Sequence, residues 1–388
     1  MSRSLCWIGI LCLGTGLAAA GGARAADGFR LQCPYPGPHL LLSARDLEYQ
    51  RWLVTRHAFK QDALRAMRRR LVRVTERPPT VPPLEAVKRP PNLYTTGPGR
   101  DGGVREFFFE KGTLAADDAR DCALVFQFTR ELPYLHKASE ILMAYVGTLN
   151  PLPQDYANNM AAVHYVSMPV LKFAWTYDLI AEHLSASDRA AVEDWLLQAA
   201  LFITEHDDPA ASLSTLLWAD ACVLAIGYVT DRGELVDWAL NRPERGLTAQ
   251  MVTSIAPHGE ITAERGRHTV DRRSLDLGIF DLEAMAAAAE MALHNGTDLW
   301  DPGQPGGAQL RRCSAFYAGY ASRHIGRPVP EGDAYAGEKV SPHKAPLFEL
   351  LYLRFRDEAL ARVLIRHRGG YDGHLLGDAA LAFGVPLG

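Results

Sequence analysis

The residues best equipped for chemistry crowd into one short run, Gly259 to Arg273, which reads GEITAERGRHTVDRR. Arg265, Arg267, Arg272 and Arg273 stand there with His268, and His258 precedes the run by one position. Guanidinium groups grip carboxylates in a bidentate way. An imidazole titrates near neutrality, and neighbouring arginines favour its neutral form, the one a base needs. Together these types suit chemistry on an anionic substrate. The competing reading is a solvated basic loop balanced by Glu260, Glu264, Asp271 and Asp276. The whole chain carries a formal charge of −4, so attraction for an anionic ligand has to be local to such a loop.

Other residues offer related chemistry. His206 in EHDDPA precedes an apolar stretch that carries Trp218. Asn158-Asn159 and His164-Tyr165 bring carboxamides, an imidazole and a phenol into one segment, but adjacent helical residues point about 100° apart, so only one of His164 and Tyr165 can face a ligand closely. Glu260 with Glu264 or Asp220 is a possible glycosidase pair, which needs a separation of about 5–9.5 Å. There is no phosphate-binding loop, no G-x-S-x-G and no H-E-x-x-H. Nothing in the sequence calls for a metal or cofactor, and the absence of a basic stripe or zinc finger argues against nucleic acid.

Helices must position these groups. Apolar spacing of three and four predicts helices over 44–75, 116–132, 135–149, 158–184, a segment ending near 205, 216–230, 233–241 with a possible extension to 255, 278–294, 307–324 and 346–366. Ser185-Ala-Ser-Asp188 is a helix-start signal, and Asn295-Gly296 is a stop. No run of alternating strands appears, so the fold class is all-α, built from antiparallel helix pairs. Residues 76–103 hold many prolines and read as a lid or binding loop, with Lys88 and Arg89 able to close over a polymer. Trp175, Trp195, Trp218 and Trp238 sit on apolar faces, where core packing competes with sugar stacking.

The chain opens like a secretory signal: Arg3, an apolar run from Leu5 to Ala20, then Ala23-Arg24-Ala25 as a cleavage pattern. Export to the periplasm, one mature domain over 26–388 and no membrane insertion after cleavage are expected. Losing Arg3 and Arg24 takes the formal charge from −4 to −6. Cys33, Cys122, Cys222 and Cys313 remain, and export makes disulfides possible.

The Trp218 segment, TDRGELVDWA, the Gly259–Arg267 run and FDLEAMAAAAEMA followed by Asn295-Gly296-Thr-Asp-Leu-Trp300 together resemble the alginate lyase family of polysaccharide lyases. The resemblance implies an incomplete (α/α) toroid around a deep cleft, β-elimination on a uronate polymer, and a Cys33–Cys122 disulfide. Where the family has Asn-Asn-His, this chain has Leu213-Ser214-Thr215; where it has the catalytic Tyr, this chain has Leu277; its Arg is matched by Arg267. Carried over, Arg267 neutralises the substrate carboxylate and His268 or His206 replaces the family base. Trp218, Ser214, Thr215, Arg272, His164, Tyr165 and Lys88 contact the sugar chain. The expected partner is an anionic polysaccharide held by a monomer. The alternative is an inactive glycan-binding relative that assists polymer export.

Overall fold

The structure is a computed structural model; it describes residues 37–80, 111–146, 160–208, 210–265, 273–369 and 376–388, without the side chains of 160–162, 264 and 265. All of these fall in one unit, Leu31–Gly388. The helices are α1 (Ala44–Val54), α2 (Ala58–Glu76), α3 (Thr113–Thr129), α4 (Leu132–Val146), α5 (Met160–Ile180), α6 (Ala186–Glu205), α7 (Leu213–Val229) and α8 (Gly233–Asn241). They continue as α9 (Leu247–Thr253), α10 (Thr262–Arg265), α11 (Ser274–His294), α12 (Gly307–His324), α13 (Leu347–Phe355), α14 (Glu358–His367) and α15 (Ala379–Ala382). Among the described residues the only β-structure is isolated bridges. No described helix is long and apolar enough to cross a membrane.

Contacts between side chains fix how the helices run. The His164 ring lies 6.0 Å from Phe280, and Trp175 Nε1 donates to Met291 Sδ at 3.2 Å. Both helices advance by the same number of residues between these contacts, so α5 and α11 are parallel. Lys172 meets Asp117 at 2.7 Å, and further along Gln127 donates to the Leu179 carbonyl, which sets α3 parallel to α5. With α7 between α5 and α11, these form an inner layer. The helices α4, α6, α8 and α12 each follow an inner helix and pack outside it. This is the expected incomplete (α/α) toroid. Its inner helices are apolar almost all round; α7 buries an unbroken run from Leu216 to Tyr228, as a helix enclosed on every side must.

Three sequence expectations change. The 44–75 helix is two, because Thr55–His57 break away and Trp52 O takes the Thr55 hydroxyl; no proline or glycine marks the break. The 346–366 helix is also two: Arg356 adopts a left-handed φ of 51°, and Asp357 caps α14 through Ala359 N–H at 2.7 Å. The Cys33–Cys122 bridge is not formed. Cys122 is a free thiol with no solvent exposure, pushed up in pKa first by burial and then by Asp121 and Asp118, so it packs as a small hydrophobe; Cys33 lies outside the described residues.

At the C-terminal end of the inner helices, His294 ties α11 to the segment entering α1. Its Nδ1 donates to Leu40 O at 3.0 Å, and its Nε2 lies 2.9 Å from Asp46 and 3.4 Å from Glu290. Burial opposes its charge, but the two carboxylates prevail and raise its pKa to about 10. Stabilisation from this group is therefore full below pH 6.5 and lost as pH rises toward 10. Lys60, lowered to about 7 by burial, has the opposite slope over nearly the same range. The His294 contribution is thus read as a difference: the stability gap between the wild type and His294→Gln should narrow from pH 6.5 to 10 in denaturant titrations. A gap independent of pH would mean that His294 is neutral in the fold.

Candidate active site

Parallel inner helices put their N-termini at one end, and the groups able to do chemistry converge there. From α7, Ser214 Oγ donates to Asp281 Oδ1 of α11 at 2.5 Å. From α5, His164 reaches the Phe280 ring. From the turn at Pro342–Lys344, Lys344 Nζ stands 4.4 Å over the centre of that ring and 3.6 Å from Glu283. Phe280 is therefore the hub on which an imidazole and an ammonium both sit. The turn is held to α11 by Ser341 N–H donating to Asp276 at 2.7 Å, and α11 itself starts with Leu275 N–H donating to the buried Glu338 at 2.7 Å. A carboxylate is well placed there against the positive end of the helix dipole.

Electrostatics at this end favour neutral and cationic groups. Desolvation lowers His164 to about 4, so at neutral pH its imidazole is uncharged and can exchange hydrogen bonds without repelling nearby cations. Desolvation raises Glu283, against the pull of Lys344 and Lys172. Below it a buried chain of charges runs from Lys172 through Asp117 to Arg120 and Asp121.

The sequence candidates divide between two faces of α7. Ser214 turns inward to Asp281. Thr215 turns outward, into a narrow recess shared with His206, Asp207 and Trp238. His206 closes α6, its Nδ1 donating to Phe202 O at 2.7 Å and its ring packed 4.6 Å from the Phe202 ring. The recess is also lined by Val163, but not by Ser214, His164 or Lys344. Trp218 is fully buried against Phe280, with ring centres 4.9 Å apart, so it is a core side chain and not a sugar platform. Asp220 is buried and salt-bridged to Arg242 at 3.1 Å on the outer side, its carboxyl raised well above the ordinary range by desolvation; it cannot be the second acid of a glycosidase pair with Glu260. Tyr165 is half-buried beside His164. Arg267, His268, Arg272 and Lys88 lie outside the described residues, as do Asn158 and Asn159. Both anchors of the arginine-rich run are described, however: α10 ends at Arg265, and Arg273 precedes the first turn of α11. These two described ends lie by the start of α11, where His164, Ser214 and Lys344 also meet.

Sequence reasoning missed Asp281, Glu283 and Lys344. The two acids left a readable trace, since FDLEAMAAAAEMA sets charges inside an otherwise apolar helix. Lys344 left none, because the chain folds back from a distant turn.

The entry to the arginine-rich run depends on Gly259. Its φ is 100°, and a Cβ there would sit 2.4 Å from the Arg312 carbonyl oxygen. The turn is closed by Gly259 N–H to Ala256 O at 2.8 Å and Ala256 N–H to Glu260 O at 2.8 Å. Gly259 is therefore required on two counts, backbone conformation and space. Gly259→Ala should cost about 1–3 kcal/mol in chemical denaturation; a loss under about 0.5 kcal/mol would show that the turn relaxes freely.

Asp46, Glu290 and His294 could each offer an atom to a metal ion within 4.8 Å of one another. Arg354 already takes both Glu290 oxygens, and His294 donates through Nδ1 to Leu40 O and lies by Nε2 2.9 Å from Asp46, so that cluster is accounted for as an ion-pair network.

Comparison with known proteins agrees with this architecture. Residues 99–325 match the family model for alginate lyase. The fold is similar to alginate lyase A1-III from Sphingomonas species A1 (16% identity, 88% of this chain and 95% of that one, TM-score 0.61). It is also similar to an alginate lyase from Bacteroides ovatus (14% identity, 89% and 98%, TM-score 0.65). A variant of A1-III solved with a tetrasaccharide matches at 17% identity over 88% and 95%, with a TM-score of 0.62. No curated protein sequence matches the chain.

Proposed function

Because the chain belongs to the alginate lyase family, we propose that it is a periplasmic polysaccharide lyase that cleaves a uronate-containing glycan such as alginate by β-elimination. The observation that carries this reading is the convergence of His164, Ser214–Asp281 and Lys344 near the start of α11. The apolar run and small-residue cleavage pattern at the start of the sequence support export.

The reaction removes the C5 proton, forms a C4–C5 double bond and expels the 4-O-linked sugar. The C5 proton is weakly acidic until the adjacent carboxylate is neutralised. Arg267 takes that role, with Arg272 as a second clamp. His268, its neighbour, is the base. His206, held at the end of α6 by Phe202 O, is less free for this role than His268. Lys344 adds positive charge, and neutral His164 hydrogen-bonds a sugar hydroxyl. The leaving oxygen takes a proton from a donor at the same end, for which half-buried Tyr165 has the right chemistry.

The test is direct. Mature protein is incubated with polymannuronate, polyguluronate and a neutral mannan while ultraviolet absorbance is followed. Absorbance from the unsaturated product on a uronate alone is the expected result. New reducing ends without absorbance would replace elimination with hydrolysis. Binding with neither signal would favour a glycan-binding relative that has lost its base along with the family His and Tyr.

A further inference from the structure

The opposite end of the toroid carries a surface that the proposed chemistry does not use. On α1 and just past it, Arg45, Tyr49, Trp52 and Arg56 follow one another at helical spacing, so they form a single stripe. Tyr49 and Trp52 are 42% and 47% exposed, which is unusual for two aromatic rings side by side. Their planes are only 16° apart, with centres 5.9 Å apart. The Arg56 guanidinium lies 4.3 Å from the Trp52 ring centre. Arg45 and Tyr49 also line a concavity of about 530 Å³ floored by His294 and Arg354. A second concavity of about 500 Å³ shares Arg354 and Leu293 with it and continues past Trp300 to Arg311.

We propose that this face binds a second stretch of the uronate polymer, with the Tyr49–Trp52 pair stacking on sugar rings and the arginines on either side meeting carboxylates. The inference rests on the uronate-polymer reading and adds a non-catalytic site to it. Near-parallel aromatic faces match the flat faces of pyranose rings, and flanking guanidinium groups match an acid on every sugar. Acidic side chains are present but mostly engaged. Asp46 is held by His294 and Ser43, and Glu290 by Arg354, while Glu48 is exposed beside the stripe. Asp298 and Asp301 lie in the second concavity and turn their carboxylates to backbone N–H groups of Trp300 and Gly303. Along α5, the span from His164 to Asp178, which holds Leu40 just before α1, is about 20 Å at the helical rise, and the stripe lies beyond it. A polymer can reach both ends where a tetrasaccharide cannot, so the second site works by raising the local concentration of long chains.

The test uses the Tyr49→Ala/Trp52→Ala double variant, whose exposed positions leave the core intact. Binding of long polymannuronate is measured beside elimination from a tetrameric uronate. The expected result is polymer binding weakened about tenfold with unchanged tetramer turnover. Unchanged polymer binding overturns the second site and leaves the catalytic reading standing. Equal retention of a neutral mannan by the wild-type face overturns carboxylate recognition. A change in self-association on sedimentation identifies the face as an interface between copies and overturns the proposal as well. A wild type that neither binds nor cleaves any uronate overturns the functional reading itself, and this inference with it.

Discussion

Arg267→Ala should lower elimination from a uronate polymer by at least about 10²–10³-fold in kcat while helix content and unfolding midpoint stay at wild-type values. The carboxylate is negative in the ground state, but the demand on its partner grows as the C5 proton leaves and charge spreads into it. An interaction that strengthens toward the transition state acts on kcat and kcat/KM together, and a merely adhesive contact would raise KM alone. Arg267 is the second residue after α10, and the described fold rests on buried helices elsewhere. Arg267→Lys should recover only part of the rate, since an ammonium keeps the charge but not the paired N–H geometry. Activity within fivefold of wild type in the alanine variant would take Arg267 out of the mechanism.

The helical layer was readable in the sequence where burial on all sides imposes long apolar runs, as in α7 and α11. Caps were readable where a side chain must meet an exposed N–H: Ser185 takes Asp188 N–H at 3.1 Å, as its spacing implies. The breaks at Thr55–His57 and Arg356 were not, because neither carries a proline or glycine. Tertiary packing sets both, although Asp357 offered a capping signal for the second. At the site, periodicity started the Trp218 helix at 216, and only the family register put Ser214 and Thr215 at its start, without saying which faced inward. That depended on whether α8 or α11 lay on each side. Trp218 shows the limit of register: a family position can be matched and still be a core side chain. Lys344 shows the other limit, since a residue brought in by a distant turn leaves no local spacing to read.

The buried charges beneath the site lead to the second large effect. Arg120 has no solvent exposure and bridges Asp117 at 2.8 Å and Asp121 at 2.9 Å. Asp121 also receives Arg70, and Asp117 receives Lys172 at 2.7 Å. Burial works against the Asp121 carboxylate, yet Arg120 and Arg70 together hold it below the usual carboxylate range. Gly377 closes over the pair, where a Cβ would come within 2.7 Å of Asp121. Replacing Arg120 by methionine fills most of the volume but leaves two buried carboxylates each short of one cation. Breaking such a network costs about 3–5 kcal/mol, and the retained Arg70 and Lys172 place this case near 3 kcal/mol. Asp121 should lose some of its depressed pKa with its first partner gone. The variant's deficit should therefore grow at neutral pH and shrink as acid protonates the group in both states. Because Lys172 is coupled to Glu283, and Glu283 to Lys344, the same variant should loosen the turn that sets Lys344 over Phe280. Hydrogen exchange across residues 341–345 gives that readout apart from global unfolding. A stability loss under about 1 kcal/mol, with exchange unchanged in the turn, would mean that the charges are independently solvated pairs and not one framework under the site.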